Sequence, residues 1–348
     1  MMQKRNVLAV AWVGMMTALP LAGAAQELTY QAGHNSLQHW LMPEQVPTPE
    51  DNPLTEAGAA LGKKLFFDPR LSGAQNMSCA SCHSPMMGWS DGLATARGSQ
   101  DRVLGRASMT IVNTAFNKKY MWDGRFHSLE EQAIGPMVAS VEMNVDINDA
   151  IARLKAIPGY VEAFNEAYPD LGVSVDALRK AIASFERTVI SDNSPFDQWV
   201  RGDSDALTPE QINGFKVFMD PDKGNCAGCH SAPNFTDNGF HNLGLASQGQ
   251  ENPDPGRYAI VPIAVLEGAF KTPTLRDVEL RAPYFHDGSA STLMEVVEFY
   301  ETGGLVRDNV APGMKALDLT QQEREDLVAF MKSLTSPQTP YVLPTLPR

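Results

Sequence analysis

The feature that most constrains this 348-residue chain is a five-residue pattern that occurs twice and uses all four of its cysteines. Both copies read C-x-x-C-H, which is typical of covalent haem attachment. Two thiols three residues apart can add to the two vinyl groups of one haem, and the adjacent histidine then supplies the proximal ligand to iron. The copies are Cys79-Ala80-Ser81-Cys82-His83 and Cys226-Ala227-Gly228-Cys229-His230.

Paired cysteines can also form two disulfides, a C-x-x-C redox pair, or a zinc site of Cys and His. None of these three arrangements requires that each pair be followed at once by histidine, with no cysteine left over. The sequence therefore predicts two covalently bound c-type haems, attached at Cys79, Cys82 and His83 and at Cys226, Cys229 and His230.

The amino terminus predicts export. Basic residues precede an apolar stretch that ends in small residues, which is the pattern of a cleaved signal peptide over residues 1–25. A membrane anchor is the alternative, but this stretch is short and interrupted by Gly14 and Pro20. We therefore expect a periplasmic protein without a membrane anchor. A net charge of −13 excludes nucleic acid as a natural partner and favours a basic redox protein.

The haem motifs lie one in each half, which predicts two haem domains, 26–198 and 199–348, joined near the breaker-rich stretches 191–195 and 202–205.

The predicted fold class is mainly α, with long loops. Capping boxes are expected at Ser128, Thr208 and Thr320, and segment 231–291 is expected to fold over the second haem. No internal repeat is evident beyond the motifs. The predicted helices cover 55–66, 129–140, 148–156, 175–190, 209–219, 292–301 and 321–334.

Beyond the motifs, the chain resembles the bacterial dihaem cytochrome c peroxidase and MauG family from about residue 50 to 335. The resemblance rests on four strings: Leu61-Gly62-Lys63-Lys64-Leu65-Phe66-Phe67-Asp68, Trp122-Asp123-Gly124-Arg125, Ser128-Leu129-Glu130-Glu131-Gln132 and Ala282-Pro283-Tyr284-Phe285-His286-Asp287-Gly288. It implies two helical cytochrome c-like domains, with peroxide chemistry at the first haem and electron storage or relay at the second.

The face of the first haem opposite His83 decides whether peroxide can bind. Conventional members of the family carry a distal histidine after the first motif, but this chain has none between His83 and His127. His127 lies where relatives carry an exposed residue, and Met86 and Met87 are too close to His83 to reach the opposite face. We expect a five-coordinate first haem that is ready at rest.

The resemblance also implies a distal pocket, which the spacing from Trp122 places at Gln132, Pro136 and Glu142. Glu142 would move protons of the bound peroxide, Gln132 would hydrogen-bond the iron-bound oxygen, and Pro136 would cap the face without ligating. Without the resemblance, each could be an ordinary helix-surface residue or a helix breaker. Trp122 matches the tryptophan that relays electrons between the haems, although a lone tryptophan is more often a packing residue.

The second haem differs in its expected sixth ligand. Alignment from His286-Asp287-Gly288 places Tyr300 where conventional peroxidases hold an axial methionine, and MauG-like members have tyrosine there. A phenolate stabilises oxidised iron, whereas a thioether raises the reduction potential. The alternative is that Tyr300 packs and Met294 or Met314 is the ligand.

The family commonly holds a calcium ion between its haems. The backbone carbonyl groups of Arg281 and Pro283 map to its ligands, but Ala107 stands where conventional members carry an asparagine.

Three functions are therefore open. In the first, MauG-like, hydrogen peroxide reacts at the open first haem to give a high-valent dihaem state that oxidises a partner, with Trp or Tyr side chains of another protein as the expected targets. In the second, a conventional cytochrome c peroxidase reduces peroxide to water with electrons from a small cytochrome or cupredoxin. In the third, the protein is a non-enzymatic electron-transfer cytochrome.

Overall fold

The computed structural model describes residues 28–348, so the expected signal peptide lies outside the described residues. The fold is mainly helical, which confirms the predicted fold class. Within the described residues a single ladder pairs β1 (Phe240–His241) with β2 (Phe270–Lys271). The α-helices are α1 (Glu56–Phe66), α2 (Cys79–Cys82), α3 (Leu129–Val138), α4 (Ile147–Lys155), α5 (Pro158–Ala167), α6 (Val175–Glu186), α7 (Pro195–Arg201), α8 (Pro209–Met219), α9 (Leu293–Thr302) and α10 (Gln321–Lys332).

All seven predicted helices are present, whereas α5, α7 and the four-residue α2 were not predicted. Helix α7 lies between the two breaker-rich stretches, 191–195 and 202–205, near which the inter-domain link was predicted. Ser194 caps it and Pro195 takes its first position, so residues that favour loops begin a helix here. Phe196 and Trp199 are buried in the core of the second half, so the chain crosses between the halves in the few residues before α7.

Two hydrophobic cores divide the described chain. The first lies among α1 and α3–α6, and the second among α7–α10. The terminal segments cross between them, because Leu37 and Trp40 pack in the second core while Tyr341 packs against the first. Arg70 reinforces this crossing by donating to the backbone oxygen of Pro347.

The two halves are structural repeats, so the expectation of no repeat beyond the haem motifs was wrong. In the first half α1 crosses α6 at Gly62, where an added Cβ would lie 1.8 Å from the Ala181 oxygen. In the second half α8 crosses α10 at Gly214, where a Cβ would lie 1.9 Å from the Asp326 oxygen. Each glycine allows a close helix crossing before a haem motif, and each begins the same sequence pattern, Gly-x-Lys-x-Phe-x-Asp-Pro.

The repeat continues through the turn before α3 and α9. Tyr120 bridges Phe126 as Tyr284 bridges Ala290. At the junction between the halves, Ala107 N–H donates to the His286 oxygen at 2.7 Å and Lys271 N–H donates to the Trp122 oxygen at 2.8 Å. These reciprocal bonds pair Ala107 with Lys271, and Trp122 with His286, as equivalent positions of the repeat.

The predicted capping boxes hold in two of three cases. Thr208 and Thr320 form complete boxes with Gln211 and Glu323. Ser128 accepts from Glu131 N–H, but the Glu131 carboxylate accepts from His127 N–H instead of returning to Ser128. Over residues 28–348, no helix has the length and apolar character needed to cross a membrane.

Candidate functional site

Each C-x-x-C-H motif forms one tight turn with free thiols. Helix α2 begins at Cys79 and ends at Cys82, and Cys226 begins a single 3₁₀ turn. All four cysteines of the chain are free, so the disulfide alternative does not hold. Burial raises the pKa values of Cys79 and Cys226 to about 12, so that before haem attachment these sulfurs are thiols rather than thiolates.

The two proximal imidazoles are oriented in the same way. His83 Nδ1 lies 3.3 Å from the Trp89 oxygen and His230 Nδ1 lies 3.0 Å from the Phe235 oxygen. A backbone acceptor at Nδ1 fixes the tautomer that leaves Nε2 free to bind a metal. Burial lowers the pKa of His230 to about 4 and also lowers that of His83, which favours the neutral, ligating form.

The second motif opens into a cavity of about 410 Å³ between the halves. Its described lining contains no Asp or Glu, although the chain carries a net charge of −13. The lining does include the cations Lys271, Arg281 and Lys315. Apolar walls, a free imidazole and an excess of positive charge fit a haem, which is a flat apolar group with two carboxylates.

Tyr300 lines this cavity together with His230, as expected from the sequence for a second axial ligand. Met314 lines it too, whereas Met294 on the same helix as Tyr300 is not among the lining residues. Burial raises the pKa of Tyr300. The geometry therefore retains Tyr300 and Met314 as candidate ligands and gives no support to Met294.

Glu142 lies close to the first motif. Burial raises the pKa of Cys82 to about 11, and the charges of Asp91 and Glu142 add to that rise, as expected for carboxylates near the first haem attachment. Burial raises the pKa of Glu142, and Arg125, with Nη2 4.0 Å from Oε1, opposes that rise. The backbone is held by Ser99 N–H, which donates to the Glu142 oxygen at 2.7 Å.

Gln132 and Pro136 both lie on α3, and Gln132 Nε2 is 3.9 Å from the Met121 sulfur. The repeat gives Pro136 a specific counterpart. Pro136 is the eighth residue of α3 and Tyr300 is the eighth residue of α9. The side chain that could ligate the second haem thus corresponds to one in the first half that has no ligating atom.

Trp122 lies at the junction of the halves and lines the cavity of the second motif, although it belongs to the first half. Its indole N–H donates to the Ala107 oxygen at 2.9 Å. Its ring meets His286 edge-on with centroids 6.3 Å apart, and Phe270 stacks on the His286 ring at 3.5 Å. Trp122 therefore lies at the junction of the halves, beside the cavity of the second motif.

The remaining sequence candidates fall as follows. His127 is exposed and hydrogen-bonds Lys119, and Met86 and Met87 are also exposed. Arg281 and Pro283, the candidate calcium ligands, line the second cavity.

Three features were not predicted from the sequence. They are Arg125 beside Glu142, buried Lys271, and a pair in which His241 Nε2 lies 2.7 Å from Asp237 Oδ2. With Cys229, that pair is the one group of three metal-ligating side chains within residues 28–348. Cys229 belongs to a haem motif, so the group does not support the zinc alternative. Only Arg125 carried a signal, since it belongs to the Trp122-Asp123-Gly124-Arg125 string.

Comparison with known proteins places these observations in a family. The chain matches the family described as di-haem cytochrome c peroxidase over residues 56–205 and the cytochrome c family over residues 211–335. It is 41% identical over 307 residues to methylamine utilization protein MauG of Methylophilus methylotrophus, covering 88% of this chain and 90% of that protein. It is 36% identical over 352 residues to the cytochrome c551 peroxidase of Pseudomonas aeruginosa, covering 99% and 97%.

A solved structure agrees. The crystal structure of a MauG-like protein associated with microbial copper homeostasis superposes with a TM-score of 0.79 at 31% identity, covering 85% of this chain and 95% of that one.

Proposed function

The chain belongs to the di-haem cytochrome c peroxidase family, which includes MauG, and from that premise we propose that it couples reduction of hydrogen peroxide to oxidation of a partner protein. Trp or Tyr side chains of that partner are the proposed electron donors. The protein is a haem oxidoreductase with two c-type haems. The observation that carries the MauG-like assignment is the position of Tyr300. Tyr300 lines the same cavity as His230, and the equivalent position of the repeat in the first half is Pro136.

The residues that would hold the two haems are unequal. Cys79, Cys82 and His83 would hold the first from one side only, whereas Cys226, Cys229, His230 and Tyr300 would hold the second from both sides. When bound, the pair supplies peroxide reduction at the first iron and storage of oxidising equivalents at both.

Glu142 is the proposed proton carrier at the first site. Its carboxylate would take a proton from peroxide and return it to the departing oxygen, which is general acid–base work. Burial raises the pKa of Glu142 and the charge of Arg125 opposes that rise. Arg125 is in turn held by Asp123, whose Oδ2 lies 2.9 Å from Arg125 Nη1.

The other proposed roles at the first site are positional. Gln132 would turn its amide N–H from the weak Met121 sulfur acceptor towards the reacting oxygen, because oxygen is the stronger acceptor. Pro136 would close the face without offering a ligand. Trp122 would carry electrons between the two halves, with its indole N–H retained on the Ala107 oxygen.

We place the protein in the periplasm on the basis of the leader pattern in residues 1–25 and the chemistry of C-x-x-C-H motifs. We also propose a calcium ion bound by the backbone carbonyl groups of Arg281 and Pro283, which line the cavity between the halves. A chelator should change the optical spectrum, and calcium but not magnesium should restore it. If metal analysis shows that the chelator has removed all calcium and the spectrum is unchanged, the proposed calcium site is wrong.

The proposed function is tested by adding stoichiometric peroxide to the purified ferric protein without any reductant. We expect an immediate change in the absorption spectrum that persists and is reversed by an electron donor. Tyr300→Met should shorten its lifetime, whereas Met314→Leu, a matched change in the same cavity, should not. A protein that responds to peroxide only after partial reduction would contradict the MauG-like assignment.

A conventional cytochrome c peroxidase is the second candidate. It is favoured by Met314, which lines the cavity with His230, and by 36% identity to the Pseudomonas aeruginosa enzyme over 99% of this chain. Under this alternative, reduced cytochrome or cupredoxin should sustain rapid steady turnover, and Met314→Leu rather than Tyr300→Met should alter the low-spin haem.

A further inference from the structure

Lys271 is a buried ammonium group without a carboxylate partner. Its side chain is 2% exposed and its Nζ donates one hydrogen bond, to the Thr272 oxygen at 3.0 Å. No Asp or Glu of residues 28–348 lies within 4.0 Å of this Nζ. Burial lowers the pKa of Lys271 to about 8 and the charge of Asp237 opposes that fall, but the Asp237 carboxylate is already bound by His241 and by Gly239 N–H. A buried charge left in this state is costly, and such groups are normally paired.

The ammonium group of Lys271 lies at the cavity of the second motif. The described lining of this cavity holds no acidic side chain that could balance it. Arg281 also lines this cavity. Its Nη2 donates to the backbone oxygens of Thr274 and Arg276, and its Nε has no partner among the described residues. Lys315 is exposed at the same cavity. Lys271 is therefore the more buried of two cations with spare donors, and the compensating anion must enter with the occupant.

The repeat indicates that the lysine side chain is not needed for folding. Lys271 N–H donates to the Trp122 oxygen at the position where Ala107 N–H donates to the His286 oxygen in the other half. Alanine therefore suffices for the backbone role at this position. The second half has gained a buried positive charge at the position where the first half has none.

We propose that Lys271 is the counter-ion of a carboxylate on the haem attached at Cys226 and Cys229, and that its charge favours the reduced form of that haem. The inference rests on the proposed function only in requiring a haem in this cavity. A fixed positive charge near iron stabilises the ferrous state, which carries one positive charge fewer, and burial keeps that interaction strong. Lys271 thereby offsets part of the preference of Tyr300 for ferric iron.

The test is an equilibrium redox titration of the holoprotein in the absence of peroxide, following the low-spin haem. Lys271→Met removes the charge with little change in shape, and Lys271→Arg keeps the charge. Lys315→Met is the matched control, because it makes the same charge change at an exposed position of the same cavity. Haem content is measured first for every variant.

We expect Lys271→Met to lower the ferrous-to-ferric ratio at a fixed potential at least about tenfold, equivalent to about 59 mV for one electron. Lys271→Arg and Lys315→Met should each stay within about threefold of the wild type, since an exposed charge is screened. Loss of the second haem from Lys271→Met but not from Lys271→Arg would also support the pairing.

Two results would overturn the proposal. One is a Lys271→Met protein with both haems and the wild-type midpoint. The other is loss of the second haem from both Lys271 variants, which would assign the residue a packing role. Neither result depends on peroxide reactivity, so failure of this inference is distinguishable from failure of the proposed function.

Discussion

At the scale of single residues, the proposed proton chemistry depends on Glu142 and on the cation beside it. We expect Glu142→Gln to slow the reaction of the ferric protein with peroxide about 10²–10⁴-fold, because the amide cannot carry the proton. Stopped-flow absorbance measures this rate. Glu166→Gln, an exposed change in the same half, is the control. A wild-type rate in Glu142→Gln would remove Glu142 from the mechanism.

Arg125 should set the pH range in which Glu142 works. Burial raises the pKa of Glu142 and the Arg125 guanidinium opposes that rise. Since only the carboxylate form accepts a proton, Arg125→Met should move the acid limb of the pH–rate profile to higher pH. Arg125→Lys should restore most of it. An unmoved acid limb in Arg125→Met would show that the 4.0 Å contact has no electrostatic effect.

Glu186 offers a test of stability against pH in the first half. It is 3% exposed, its Oε2 has no partner among the described residues, and burial raises its pKa from 4.5 to about 8. The folded state therefore keeps a proton that the unfolded state releases, so stability falls as pH rises from about 4.5 to about 8.

Glu186→Gln should consequently match the wild type near pH 4 and exceed its unfolding free energy by about 1–3 kcal/mol near pH 8. Denaturant titrations at the two pH values measure the difference. If the variant differs from the wild type by the same amount at both pH values, Glu186 does not titrate as described.

Residue-scale prediction needs the fewest assumptions where the chemistry is local. The C-x-x-C-H motif needs only neighbouring residues, so the six attachment residues could be assigned from sequence. The roles of Gln132, Pro136, Glu142 and Tyr300 came from family resemblance and remain proposals. Lys271 could not be found, because its burial depends on a cavity formed by segments far apart in sequence.

At the scale of elements, the two helix crossings depend on glycine. Gly62→Ala and Gly214→Ala each force a Cβ to within 2 Å of a backbone oxygen in the facing helix. We expect each to lower the unfolding free energy by about 1–3 kcal/mol. Gly105→Ala and Gly313→Ala are the controls, because a Cβ there meets nothing within 4 Å. Equal stability of all four variants would mean that the helices adjust freely.

The prediction of helices from sequence was limited where local residue preferences disagree with the tertiary structure. Helices with clear caps and periodic apolar residues were found, whereas α7 was hidden by the loop-favouring residues that begin it. Both halves carry the pattern Gly-x-Lys-x-Phe-x-Asp-Pro, from Gly62 and from Gly214, but the repeat was missed because the spacing between equivalent positions changes along the chain.

At the scale of the whole molecule, the halves meet around Trp122 and His286, which are equivalent positions of the repeat. Trp122→Phe should preserve packing but slow electron exchange between the haems at least about tenfold, equivalent to about 1.4 kcal/mol of activation free energy. Rapid mixing of the ferric protein with one equivalent of reductant measures this exchange. Trp199→Phe, in the second core, should leave it unchanged, and unaltered exchange in Trp122→Phe would exclude the relay.

The same repeat accounts for why the molecule is asymmetric. Equivalent helices present Pro136 to one half and Tyr300 to the other, and equivalent backbone positions carry Ala107 and Lys271. Under the proposed function, two similar domains would thus acquire one open and one closed haem site through a few side chains.

The most direct test of this asymmetry is the low-temperature electron paramagnetic resonance spectrum of the resting, fully ferric protein. We predict one high-spin signal from the first haem and one low-spin signal from the second. Tyr300→Met should shift the low-spin signal and leave the high-spin signal in place. Two low-spin signals in the wild-type protein would contradict the proposed asymmetry.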